Sequence, residues 1–161
     1  MQPPFLSVPV HTSPADAAGA AVAAAAAEPG QVFWRADVEA LDCAIVILPE
    51  PAAAVLAGRA LSDALGALGP PHAELAVEDE AVRLNGATVG VLRVEAAGPL
   101  ALLLLSLRLA DTTTPDPGLT PDRSTLRDEG FDAGIDAEAI LDAFLRHLLF
   151  HSHTAEEGAS P

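Results

Sequence analysis

Lysine is absent from this chain. Its eight basic residues are all arginine, so chemistry that needs an ε-amino group must take it from another molecule. A single cysteine excludes an internal disulfide and a zinc site built on several thiolates. There is no tyrosine and only one tryptophan, so the core must be built mainly from aliphatic side chains. Positive charge is scarce: 23 acidic residues against eight arginines give a net charge of −15. That charge repels nucleic acid and anionic lipid, and neither is expected as a partner. The most apolar run, residues 100–105, is far shorter than the ~20 residues of a membrane helix. The N-terminus carries no basic n-region, so no secretory signal is expected and the cytoplasm is the expected location.

What remains is a 161-residue chain, half of it hydrophobic. That is enough for one domain, 1–161, with one sizeable core. Residues 1–12 are proline-rich and apolar and read as an extended arm. Ser13-Pro14 is a helix start, with Ser at the N-cap and Pro at N1, and an alanine-rich helix is expected over 15–28. Residues 31–35 and 41–48 read as strands. Residues 52–68 read as a helix with an apolar stripe of Val55, Leu56, Leu61, Leu65 and Leu68. A strand over 74–77 leads through the acidic turn Glu78-Asp79-Glu80 into the clearest element of the sequence. There, alternating residues flank Asn85-Gly86, a dipeptide that accepts positive φ at both positions and sets a type I′ hairpin over 81–94. A buried strand over 100–109 follows, then a loop over 111–125 and a short turn over 126–130. A last helix over 137–150 has Asp136 as N-cap and Ile140, Leu141, Phe144, Leu145 and Leu148 on one face. Residues 151–161 read as a frayed tail. The expected class is α+β: a two-layer arrangement of helices on a mostly antiparallel sheet.

Three landmarks in order carry a family resemblance. The first is A-I-V-I-L-P-E-P followed by A-L-S-D-A-L-G-A-L. The second is L-N-G-A-T-V-G-V-L-R-V-E. The third is S-T-L-R-D-E-G followed by D-A-E-A-I-L-D-A-F-L-R-H-L. Together they resemble the biotin/lipoate protein ligase family, and among its members the short, divergent bacterial ligase-like proteins. The resemblance implies the ligase fold, ATP and biotin or lipoate as cofactor and substrate, and a biotinyl or lipoyl carrier domain as partner. It also implies a ligand site at Asn85, Gly86, Thr88 and Gly90. The alternative for those four residues is a hairpin turn with no ligand.

The chain departs from the family in three places. The family's hairpin lysine, which contacts the acyl carbonyl and the adenylate phosphate, corresponds here to Thr88, which brings a hydroxyl and no charge. The family's W-P-N-D segment corresponds to Val77-Glu78-Asp79-Glu80. The family's Gly/Arg-rich loop has no counterpart in residues 31–42. No catalytic residue is therefore assigned.

Other groups have simpler readings. Glu78, Asp79 and Glu80 have the ligand type for Mg²⁺, and are read as a solvated turn. His147, His151 and His153 have a spacing that a divalent metal could bridge. They are read instead as imidazoles placed near a helix C-terminus, and no metal site is assigned. Cys43 lies in an apolar strand beside Asp42 and is read as core rather than as an acyl-accepting thiol. Phe33 and Trp34 are read as packing residues. The expected function is a degenerate, pseudoenzyme-like ligase relative that binds an acyl or acyl-adenylate ligand or a carrier domain. The alternatives are an active acyl-protein ligase or transferase acting on a carrier lysine, and a non-catalytic scaffold subunit that dimerises through a sheet edge.

Overall fold

The computed structural model describes residues 6–71, 74–110, 124–132 and 134–159. Seven strands form one sheet: β1 (Leu6–Pro9), β2 (Gln31–Ala36), β3 (Ala40–Ile47), β4 (Leu75–Glu78), β5 (Ala81–Leu84), β6 (Ala87–Ala97) and β7 (Leu100–Arg108). Their spatial order is β1-β2-β3-β7-β6-β5-β4. β1 runs parallel to β2 and every other neighbour is antiparallel. Three helices accompany the sheet: α1 (Pro14–Ala23), α2 (Ala53–Leu68) and α3 (Ala137–Ala159).

Residue alternation along the strands builds two cores. Val32, Leu41, Cys43, Ile45, Leu103, Leu105 and Leu107 face one way and meet Ala57, Leu61 and Leu65 of α2 and Ile140, Leu141 and Phe144 of α3. Phe33, Ala44, Val46, Leu102 and Leu104 face the other way and meet Ala18 of α1. The sheet and the α2–α3 pair are the two main layers, and α1 covers part of the opposite face. Phe33 and Trp34 thus both pack, on opposite faces.

Local chemistry sets the ends of the elements. The Ser13 hydroxyl accepts from the Asp16 N–H and caps α1. That helix stops short of Pro29-Gly30 because Ala25 takes φ +55°. The Ala26 N–H then donates to the Ala21 carbonyl and the Ala25 N–H to the Val22 carbonyl, which is a Schellman ending with alanine where glycine is usual. The buried face of α2 is Ala53, Ala57, Ala60, Leu61, Ala64 and Leu65. Leu61 and Leu65 of the expected stripe are on it, whereas Val55 lies off it and is 57 % exposed. Asp136 caps α3 by accepting from the Ala139 N–H at 2.8 Å, and the helix runs nine residues beyond 150, to Ala159. Asn85 and Gly86 take φ +53° and +87°, the conformation of a type I′ turn. Most of the expected loop, 111–123, lies outside the described residues. No described helix is long and apolar enough to cross a membrane.

Candidate functional site

The hairpin residues are held by structural bonds. The Asn85 side-chain oxygen accepts from the Glu74 N–H at 2.9 Å, and the Asn85 N–H donates to the Glu74 carbonyl at 2.8 Å. Asn85 thereby ties the turn to the start of β4. Gly86 closes the turn. Gly90 sits where β6 and β7 approach closely. The Thr88 carbonyl accepts from Arg108 Nη2 at 2.6 Å and from the Ser124 N–H. None of the four lines either of the two clefts described next. Thr88 does share a sheet face with one of them, because it pairs with Arg83, which points away from the α2–α3 layer.

The larger cleft, about 460 Å³, lies between the ends of β2 and β7 and the start of α3, over Trp34, Leu126, Phe131 and Ile140. Three of its four carboxylates accept from local backbone N–H groups, Asp37 from Glu39 and Ala40, Asp132 from Gly134 and Asp136 from Ala139, and Glu138 lines it as well. The ligase-like segment Ser124–Gly130 forms a turn here. Thr125 Oγ1 accepts from the Asp128 N–H, and Ser124 Oγ donates to Glu129.

The second cleft, about 400 Å³, is where charged and polar groups converge. It lies on the sheet face that carries α1, just past that helix's first turn. Sheet register places Arg35, Asp42, Ser106 and Val91 side by side on β2, β3, β7 and β6. Ser106 Oγ donates to Asp42 Oδ1 at 2.5 Å, and Arg35 Nε lies 3.5 Å from Asp42 Oδ2. Asp42 thus fixes a hydroxyl on one side and a guanidinium on the other. Arg93, two residues beyond Val91, lines the same cleft and meets Glu95 at 3.0 Å. Each guanidinium has five N–H donors, so both keep donors for an incoming anion. Ser13, Pro14 and Ala15 form the wall, where the positive end of the α1 dipole also favours negative charge. The cleft's apolar lining comes from Pro14, Val91 and Leu104. The arrangement suits a molecule with an apolar part and an anionic part.

Sequence reasoning missed Arg35, Asp42, Arg93 and Ser106. The available signal was the isolated polar residue inside a buried strand: Asp42 in L-D-C-A-I-V-I-L, and Ser106 in L-L-L-L-S-L.

Cys43 lies beneath this cleft, 3 % exposed, in the core of the α2–α3 side. Burial, and then the neighbouring Asp42 charge, push its thiol up to about 12, outweighing a hydrogen bond with the Leu105 backbone. A raised value in the folded state favours the thiol. This contribution to stability is complete below the ordinary value of 9.0 and is lost as pH rises from there toward about 12. Cys43 should therefore resist a thiol reagent such as DTNB at pH 8 and react fully once the chain is unfolded. Rapid stoichiometric labelling of the native protein would contradict this burial. His151 Nε2 donates to Asp63 Oδ2 at 2.6 Å, which ties α3 to α2. The His153 side chain lies outside the described residues, and no group of three or more metal-ligating residues occurs among those described.

Known structures share this architecture. A biotin protein ligase-like protein of unknown function from Silicibacter sp. TM1040 is 28 % identical, with a TM-score of 0.80 over 98 % of this chain and 74 % of that one. Biotin protein ligase from Aquifex aeolicus is 12 % identical, with a TM-score of 0.71 over 95 % and 70 %. The Leishmania major biotin protein ligase, solved in complex with biotinyl-5-AMP, is 15 % identical, with a TM-score of 0.66 over 92 % and 73 %. A search of curated proteins returns no match. The sequence pattern of the Biotin/lipoate A/B protein ligase family matches residues 2–161, and the chain belongs to that family.

Proposed function

We propose that this chain is a ligase-like protein that binds an acyl or acyl-adenylate ligand in the α1-side cleft and does not by itself carry out ligation. The observation that supports this reading is the polar row Arg35–Asp42–Ser106, with Arg93 beside it, next to the apolar side chains of Val91 and Leu104 in the same cleft. Two guanidiniums and a helix N-terminus suit a carboxylate or phosphate, and Val91 and Leu104 offer apolar contact to an acyl group. Fold alone does not carry activity. What argues against ligation is the chemistry of the chain: it has no lysine to neutralise an adenylate phosphate, and its one thiol is buried and held protonated. A carrier domain is the partner class that this reading brings with it.

Calorimetric titration with non-hydrolysable biotinyl- and lipoyl-adenylate analogues tests the proposal. Binding with a Kd of about micromolar or tighter is expected, weakened in Arg35→Ala and Arg93→Ala. If the folded protein gives no heat with either analogue, the adenylate reading fails and the search moves to protein partners. Sedimentation of the same samples reports whether a second copy pairs at the outer edge of β4.

A further inference from the structure

The larger cleft, between the ends of β2 and β7 and the start of α3, has no part in binding the acyl ligand. Its floor is apolar: Leu126, Phe131 and Ile140 are buried beneath it, and the half-buried Trp34 ring stands beside them. Trp34 is fixed there by its Nε1, which donates to Ser7 Oγ on β1 at 2.6 Å. At the rim, Val38 is 76 % exposed. It sits in the β2–β3 turn, which Asp37 closes by accepting from the Glu39 and Ala40 N–H groups. The turn itself therefore has no use for an apolar side chain at Val38. A single exposed valine is ordinary, but this one continues a cleft of about 460 Å³ with an apolar floor, and an apolar patch rimmed by polar groups marks an interaction surface.

The rim is acidic. Asp37, Asp132, Asp136 and Glu138 line the cleft, and Arg127 is the one cation lining it among the described residues. The backbone N–H groups bound by three of the carboxylates are neutral, and an ionised carboxylate has about four lone-pair sites, so both charge and acceptor capacity remain. The net charge of −15 adds a field that draws cations in and turns anions away. An acyl-phosphate or a free acid is therefore the wrong occupant, and so is a second copy of this equally acidic chain. The carboxylates also come from separate places: the β2–β3 turn, Asp132, and the first turn of α3. Several cations spaced along one molecule meet them better than a single ammonium does.

We propose that this cleft docks a short basic segment of another protein, with one apolar side chain seated over Leu126, Phe131 and Ile140 and flanking lysines or arginines against the carboxylates. The two clefts lie on opposite faces of the same end of β2, Trp34 facing one and Arg35 the other. A protein docked here leaves the α1-side cleft open to its own ligand.

The probe is the acetylated peptide Lys-Arg-Leu-Lys-Arg, compared with the same peptide carrying serine in place of leucine. Trp34 is the only tryptophan, in a chain without tyrosine, so its emission reports on this cleft. At about 0.15 M salt, the leucine peptide should shift that emission saturably and bind about 10-fold tighter than the serine peptide. Glu138→Lys should weaken the leucine peptide about 5-fold, and Val38→Ser should reduce the leucine-to-serine ratio about 3-fold. Both residues are exposed, and the urea midpoints of the variants should stay near that of wild type. Equal binding of the two peptides, binding without a change in Trp34 emission, or no binding overturns the proposal. So does octylammonium that displaces the peptide at equal affinity, which would make the cleft a small-amine site. Self-association abolished by Val38→Ser would make it an interface between copies and overturn the proposal as well. Each of these results leaves the α1-side cleft to be decided by the adenylate analogues.

Discussion

Gly90→Ala is expected to cost about 3 kcal/mol of stability or more. Gly90 has no need of positive φ; its constraint is space. A Cβ at this position would lie 2.0 Å from the Ser106 carbonyl oxygen and 3.1 Å from the Leu107 Cα. Both are backbone atoms of the neighbouring strand and cannot rotate away, so β6 and β7 must separate near the middle of the sheet. Ser106 belongs to the cleft's polar row, so the separation should also weaken ligand binding. Urea unfolding followed by circular dichroism measures the first effect, and calorimetry on the folded fraction the second. An unfolding midpoint equal to that of wild type would show that the close approach is not a constraint.

Phe144→Ala is expected to cost about 3–5 kcal/mol. Phe144 is 0 % exposed and belongs to the core shared by the sheet, α2 and α3. Removing the ring leaves a cavity among Leu and Ile side chains that cannot fully collapse. This substitution lies on the face opposite the cleft. Ligand affinity, measured where the variant is folded, should therefore stay at the wild-type value. A parallel fall in affinity would mean that the α2–α3 layer shapes the cleft through the sheet.

The elements were legible where local chemistry settles them. The Asn85-Gly86 turn, the Ser13 and Asp136 caps and the continuous apolar strands β3 and β7 all follow from residue type alone. The early end of α1 was not legible, because an alanine occupies the left-handed position where glycine would have announced it. Val55 was placed in the α2 stripe because size was read as burial, whereas the buried face of α2 includes four alanines beside Leu61 and Leu65 and leaves Val55 outside. The cleft residues were hidden for a different reason. Arg35, Asp42, Ser106 and Arg93 come from four strands, and only the sheet register makes them neighbours. The hairpin motif was visible as a motif, but the bonds that hold Asn85 to Glu74 depend on β4 lying beside it.

The middle of the sheet joins distant parts of the chain: Ala40 pairs with Arg108 and Ile47 with Ala101. Between them run α2 and the β4–β5–β6 meander. The meander closes through tight local turns, whereas the β3–β7 ladder requires a long loop to close before any of its contacts form. The cleft floor is assembled across that ladder and needs β2 and β6 as well. The cleft therefore exists only where β2, β3, β7 and β6 are paired together, so its formation reports the long-range closure of the sheet and not that of any local hairpin.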